Sequence, residues 1–264
     1  MLKQLLLDNI KTNQQFSQIS LFMLLEKAVN AHKGKVIWEN VSYITANLRI
    51  KGNILATRFK SPIIRNLTVK INCKEVHTEI TPFPKTGLKG IFTSEYVQIE
   101  DLEQNIKAKQ SLNQLFNGKT RLPIIWNDLH VLYFFGYAFW NYLMTPYLFL
   151  WPGFSHQEIG IWQEKPGKIW HKCLVNFPDD IPTHSKQQVF YFDEFGLLQR
   201  LDYTAEIFGS FTKGAHYCFE HKEFDGLSFP TYRKVFTRLP NNQPLKLFGV
   251  MEGWIDRVTV QFNK

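Results

Sequence analysis

Residues 187–208 read QQVFYFDEFGLLQRLDYTAEIF, two runs of β-prone residues on either side of Asp193-Glu194-Phe195-Gly196. A short turn ending in glycine between two alternating runs is the signature of a β-hairpin. The following stretch, GAHYCFEHKEFDGLSFPTYRKVFTRL at 214–239, repeats the device around Glu223-Phe224-Asp225-Gly226. Outward from this pair, β-rich sequence fills about 158–264 and, earlier in the chain, about 36–100. The earlier half holds VIWENVSYITANLRIKG (36–52), NLTVKINCKEVHTEI (66–80) and EYVQIE (95–100), broken by Gly52, Pro62 and the Pro82, Pro84, Gly87, Gly90 cluster. Leu67, Val69 and Ile71 alternate with Thr68, Lys70 and Asn72, which predicts one buried and one wet face. The pattern is that of antiparallel strands and hairpins.

Three segments depart from it. Residues 14–33 carry Phe16, Ile19, Phe22, Met23, Glu26 and Lys27 at helical spacing, with Gly34 where a C-terminal cap belongs. Residues 101–116, DLEQNIKAKQSLNQLF, are polar and predict a short surface helix closed by Asn117 and Gly118. The third, 128–152, is the most unusual. VLYFFGYAFWNYLMTPYLFLW at 131–151 holds ten aromatic residues, and no charged side chain stands between Asp128 and Glu158. Its length meets the roughly 20-residue requirement for a bilayer span. Against a span stand Pro146 within it, aromatics spread along its length instead of at its ends, and flanks without a Lys/Arg cluster. The segment therefore predicts a helix over about 130–150 inside the fold, as core or as the wall of an apolar cavity. Rigid aromatics with a few polar tips are the usual lining of a small-molecule pocket.

The chain of 264 residues is 44% hydrophobic, enough to bury a core and to exclude a mainly disordered state. Lys and Arg number 31 against 23 acidic residues, a charge of +8 that permits an anionic partner without proving one. Cys73, Cys173 and Cys218 are odd in number and widely spaced, which argues against a disulfide framework or a structural zinc site. The first residues, MLKQLLLDNIKTNQQ, lack the features of a secretory signal, so the expectation is a cytoplasmic protein.

No Walker loop, GxGxxG, GxSxG or HExxH occurs, and no cofactor is expected. Polar candidates concentrate in the second half. Alternation puts His216, Cys218 and Glu220 on one face of their strand, and Arg200, Asp202 and Thr204 on one face of the strand before. If the two are neighbours, Asp202 stands beside His216 and orients its imidazole for acid or base work, with His184 on the PDDIPTHS loop as the other proton-transfer candidate. A cross-strand ion pair is the structural alternative, and Cys218 reads as a small buried filler. His184, His216 and Glu220 are residue types that can ligate a metal, but their spacing forms no metal motif and no metal is expected. The candidate ligand-binding residues are Tyr133, Tyr137, Trp140, Asn141, Tyr142, Tyr203 and Tyr217.

The segments YFFGYAFWNYLMTPYLFLWPGF, FPDDIPTHSKQQVFYFDEFGLLQRLDYTAE and HYCFEHKEFDGLSFPTYRKV resemble a family of uncharacterised bacterial proteins met in actinobacteria and cyanobacteria, over about residues 128–240. The YFDEFGLLQRLDY pattern among tryptophan-containing strands also resembles the half-barrel of periplasmic lipoprotein carriers. That second resemblance implies a curved antiparallel sheet and helices around an apolar cavity. The expectation is thus a single α+β domain, a half-barrel sheet enclosing an apolar pocket, that binds a hydrophobic or aromatic small molecule. Two versions stay open: an acid–base enzyme for a cyclisation, isomerisation or decarboxylation of secondary metabolism, or a non-catalytic lipid carrier. A peripheral protein pressing its aromatic stripe on anionic lipid is the rival class. Nucleic acid is disfavoured because the basic residues are dispersed. The oligomeric state is left open.

Overall fold

The computed structural model describes residues 24–61, 64–117, 119 and 121–263. Among them the alternating segments pair into one antiparallel sheet of 13 strands. β1 (Val41–Lys51), β2 (Ile64–Asn72), β3 (His77–Thr81), β4 (Leu88–Thr93), β5 (Tyr96–Asp101) and β6 (Ile106–Ser111) form one meander. β7 (Ser155–Lys165), β8 (Lys168–Asn176), β9 (Gln187–Phe192), β10 (Leu198–Thr204), β11 (Lys213–Phe224), β12 (Leu227–Arg238) and β13 (Pro244–Phe262) form a second. The meanders join where the last strand returns to the first, with Ile44 opposite Val260 and Ala46 opposite Val258. Leu67, Val69 and Ile71 are buried as their alternation requires, paired with Leu48, Ala46 and Ile44. The β11–β12 turn places Asp225 at φ 48° and Gly226 at φ 84°, two successive left-handed residues that a two-residue hairpin demands.

This connectivity dictates where the aromatic segment lies. The chain leaves β6 at one edge and must begin β7 at the other, on the far side of the sheet. Laid flat, the 13 strands would separate those edges by about 58 Å at roughly 4.8 Å per strand. The connecting α4 (Asp128–Met144) has 17 residues, about 25 Å of helix at roughly 1.5 Å per residue. It crosses one face, and the sheet curves over it so that nearly every side chain of the helix is buried. A helix apolar around its whole circumference requires such a setting. Gly136 allows the closest approach: a Cβ there would run into the Phe92 ring of β4, and Thr78 donates to the Gly136 carbonyl at 3.0 Å.

The expected helix over 130–150 stops earlier, at Met144. Thr145 caps it by donating to the Asn141 carbonyl at 2.9 Å, Pro146 cannot continue it, and Tyr147–Leu150 form a separate 3-10 turn. The polar segment 101–116 is corrected more heavily. Ile106–Ser111 are strand β6, and the helix is confined to α3 (Leu112–Phe116), capped by Ser111. Lys107 and Lys109 on this edge strand explain the misreading, since an edge strand resists unwanted pairing with charge and so loses the alternation of a buried one. Of the expected first helix, residues 24–31 are helical and form α1, and Gly34 closes it at φ 95° by donating to the Val29 carbonyl at 2.9 Å. Residues 14–23 lie outside the described residues. The five-residue α2 (Lys35–Glu39) follows and leads into β1. No described helix is long and apolar enough to cross a membrane. The aromatic stripe, being buried, is not a surface that could press on lipid.

Candidate functional site

Helix α4 presents two rows to the second meander, Phe134, Ala138 and Tyr142 in one and Phe135 and Phe139 beside it, at the i, i+4 spacing that puts side chains on one face. The helix starts at Asn127, whose side chain accepts from the His130 backbone N–H while the His130 ring accepts from the Asn127 N–H, both at 3.0 Å. Imidazole here does the work usually given to Glu or Gln in a capping box. Near the other end, Asn141 donates to the Tyr137 carbonyl at 2.7 Å and to the Pro182 carbonyl at 2.9 Å, tying α4 to the loop between β8 and β9.

That loop is closed on itself by Lys186, whose ammonium donates to the carbonyls of Pro178 and Asp179, both at 2.9 Å. It delivers His184 into the interior. The His184 ring sits between two phenols, with Nδ1 at 2.9 Å from the Tyr137 hydroxyl and Nε2 at 2.6 Å from the Tyr142 hydroxyl. The Tyr203 ring of β10 stacks on its face at 4.0 Å between centroids. Burial pushes the His184 pKa down to about 3, so the imidazole is neutral at physiological pH, donating to one phenol and accepting from the other. Burial also raises Tyr137 and Tyr142 well above the ordinary phenol range. The arrangement is a closed chain of neutral hydrogen bonds that holds Tyr142 in a single orientation.

Two small apolar cavities flank the Tyr142 ring. One, about 60 Å³, lies between Phe139, Tyr142 and Leu143 of α4 and the β1, β11, β12 and β13 residues Ile50, His216, Arg233 and Gly253. The other, about 80 Å³, lies towards His184, Tyr203 and Phe208. Both are bounded by Phe139, Tyr142, Val235 and Met251. A third cleft opens to solvent between Tyr133 and the loop residues Asp179, Asp180 and Thr183, reaching His184 from outside.

The sequence-predicted residues divide between the two faces of the sheet. Tyr137, Tyr142, His184, Tyr203 and His216 come together beneath α4, and Tyr133 stands at the outer cleft. Asp202 does not join them. The neighbouring of β10 and β11 is as expected, but the register sets His216 opposite Leu201 and Asp202 opposite Ala215, so the two side chains point to opposite faces. Asp202 instead receives Arg200 through Nε at 2.7 Å and Nη2 at 2.9 Å, and the Tyr191 hydroxyl at 2.7 Å. Tyr217 is on that outer face too, its hydroxyl 3.2 Å from Arg200 Nη1. The Asp202–His216 acid–base pair is therefore not formed, and Tyr217 is no part of the cavity walls. Trp140 is fully buried with its indole N–H on the Asn72 carbonyl at 2.9 Å and the Glu75 carbonyl at 3.1 Å. It and Asn141 fasten the helix instead of lining the cavities. Among the described residues no group of three His, Cys, Asp or Glu could hold a metal ion, and Cys218 is buried and free.

Arg233 and Gly253 were not anticipated. Arg233 follows Thr231 and precedes Val235 on the inward phase of β12, and a lone charge on an otherwise uncharged phase was the available signal. Gly253 lies directly opposite it.

No protein-family model matches the chain, and no curated protein sequence does. Among solved structures it is similar to a DUF1329 family protein from Desulfovibrio piger, with a TM-score of 0.50 and 11% identity over 91% of this chain and 93% of that one. It is also similar to a LolA superfamily protein from Nitrosomonas europaea, with a TM-score of 0.51 and 7% identity over 92% and 95% of the two chains. A third similar structure is a domain described as an outer membrane lipoprotein-sorting protein from Vibrio parahaemolyticus, with a TM-score of 0.51 and 8% identity over 92% of each chain. At these identities the likeness is one of fold: a large antiparallel sheet with helices packed against it.

Proposed function

We propose that the protein binds and carries a hydrophobic, lipid-like molecule between α4 and the second meander. The observation that carries this reading is the pair of apolar cavities sharing Phe139, Tyr142, Val235 and Met251, beneath a helix whose neighbours there are mostly apolar side chains. The similar structures support it, since one is described as sorting lipoproteins and another belongs to the LolA superfamily. The cavities are narrow, so an acyl chain enters as the unbranched Met251 and its neighbours swing aside, and apolar area removed from water supplies the affinity at roughly 25 cal/mol per Å².

Displacement of the neutral dye N-phenyl-1-naphthylamine tests this reading. Gly253 has room for a side chain, because a Cβ would meet nothing nearer than Ile50 Cγ2 at 3.7 Å. Gly253→Leu should fill the first cavity and weaken dye binding by about tenfold while leaving thermal unfolding unchanged, since tenfold is about 1.4 kcal/mol. Absence of dye binding in the unaltered protein, or equal binding by a folded Gly253→Leu variant, would overturn the proposal.

A further inference from the structure

The first cavity is apolar on nearly every side and yet holds a guanidinium. Arg233 extends along the helix face of β12, opposite Cys218 on β11 and Gly253 on β13. Its Nη2 donates to the Tyr142 carbonyl at 3.2 Å and its Nη1 to Cys218 Sγ at 3.2 Å, with His216 Nε2 3.5 Å away. The guanidinium carbon stands 5.0 Å from the Tyr142 ring centre. Among the described residues no carboxylate lies within ion-pair distance of it. Glu252 borders the same cavity from β13, opposite Lys234, and its carboxylate is held by Lys234 at 3.1 Å.

The carbonyl Arg233 meets is one of the last in α4, where the helix end carries about half a negative charge. A thiol, an imidazole and an aromatic face add no formal charge. Among the described residues part of the cation is thus uncompensated, and two of its five N–H donors are left to meet a ligand.

Resting on the carriage reading above, we propose that the ligand is a single-chain amphiphile with a monoanionic carboxylate head, its head on Arg233 and its chain running between α4 and β11–β13. The planar fork of a guanidinium matches a carboxylate with two parallel hydrogen bonds. One cation balances one negative charge, whereas a phosphate monoester dianion would leave charge uncompensated in an apolar wall. His216 adds none, because burial and the adjacent Arg233 push it well below its ordinary value and keep it neutral. Gly253 provides the opening: any larger residue opposite Arg233 would stand where the head must sit.

Competition against N-phenyl-1-naphthylamine tests it with four ligands of one chain length: hexadecanoate, hexadecanol, hexadecyl phosphate and hexadecylammonium. The expected order is hexadecanoate tightest by about tenfold or more over hexadecanol, as hydrogen bonds to charged groups imply, with hexadecylammonium weakest. Arg233→Gln should bring hexadecanoate level with hexadecanol, and Arg233→Lys should restore part of the preference. Equal binding of hexadecanoate and hexadecanol by the unaltered protein would overturn the head-group assignment and leave carriage standing, and tighter binding of the phosphate would overturn the carboxylate. A preference that survives in folded Arg233→Gln would remove Arg233 from the site. Failure of all four ligands, hexadecanol included, would instead defeat the carriage reading. The ranking in the unaltered protein decides the head-group assignment even if Arg233→Gln does not fold.

Discussion

Arg200 and Arg233 stand on β10 and β12, either side of β11, and the two faces of the sheet treat them in opposite ways. Arg200, fully buried on the outer face, has a bidentate carboxylate in Asp202, a carbonyl in Asn242 at 2.6 Å, and Glu164 at 3.8 Å. The rings of Trp162, Tyr191 and Tyr217 surround it at 5.4, 4.9 and 5.3 Å. Charge, donors and aromatic faces are all satisfied from within the chain, and nothing is left over for a ligand. Arg233 has mostly apolar walls, one helix carbonyl and, among the described residues, no carboxylate within ion-pair distance. The first arrangement locks strands together; the second leaves an unmet electrostatic demand beside empty space. A buried charge indicates structure when its partners are complete, and it indicates a ligand when they are missing and a cavity adjoins.

Acid sharpens the contrast most. The described cluster around Arg200 contains no histidine, while burial holds His184 beneath α4 down to about 3, and His32 and His221, packed edge to face on each other, down to about 4. Below pH 6.5 the unfolded chain takes up protons that the folded histidines refuse, so stability is full above about 6.5 and is lost as pH falls towards 4. At about 1.4 kcal/mol per pH unit for each, the three lose up to about 6 kcal/mol between pH 7 and 5. Urea titrations at both pH values check this, and His221→Asn should flatten the dependence. A pH-independent midpoint over that range would break it.

The arginines themselves come next. Asp202→Asn strands the fully buried Arg200 charge and should cost about 3–5 kcal/mol in urea unfolding. Arg233→Gln, which removes a half-buried charge from a helix end, should cost about 1 kcal/mol or less. Equal costs would make both residues structural and erase the distinction.

The smallest expected effect separates the two hydroxyl networks. Tyr142→Phe leaves the buried His184 Nε2 unpartnered and should cost about 1–3 kcal/mol. Tyr217→Phe removes one of several contacts of Arg200 and should cost about 0.5–1.5 kcal/mol. Thermal unfolding of the two variants, side by side, gives the order, and the reverse order would show that the His184 chain is not the more tightly specified network.

Much of the fold was legible because its signals are local. The Asp225-Gly226 turn, the alternation of Leu67, Val69 and Ile71, and Gly34 after the first helix each depend on a few adjacent residues and backbone sterics alone. Strand β6 was illegible because its edge position, which only assembly confers, is what its lysines answer to. Within the site, alternation correctly put Asp202 with Arg200 and His216 apart from Tyr217, and the aromatic helix announced itself by composition.

What the sequence alone determined is therefore the phase of the clearly alternating strands, the sites of the tight turns, and the need to bury residues 131–144 on all sides. What only the tertiary structure decided is the phase of one strand against the next. A shift of one residue in the β10–β11 register would put Asp202 beside His216; the observed register sends them to opposite faces, with Arg200 beneath one and α4 above the other. That choice rests on how both faces pack at once, the tyrosine and histidine rings under α4 and the guanidinium among rings on the outer side, and no single strand contains that information.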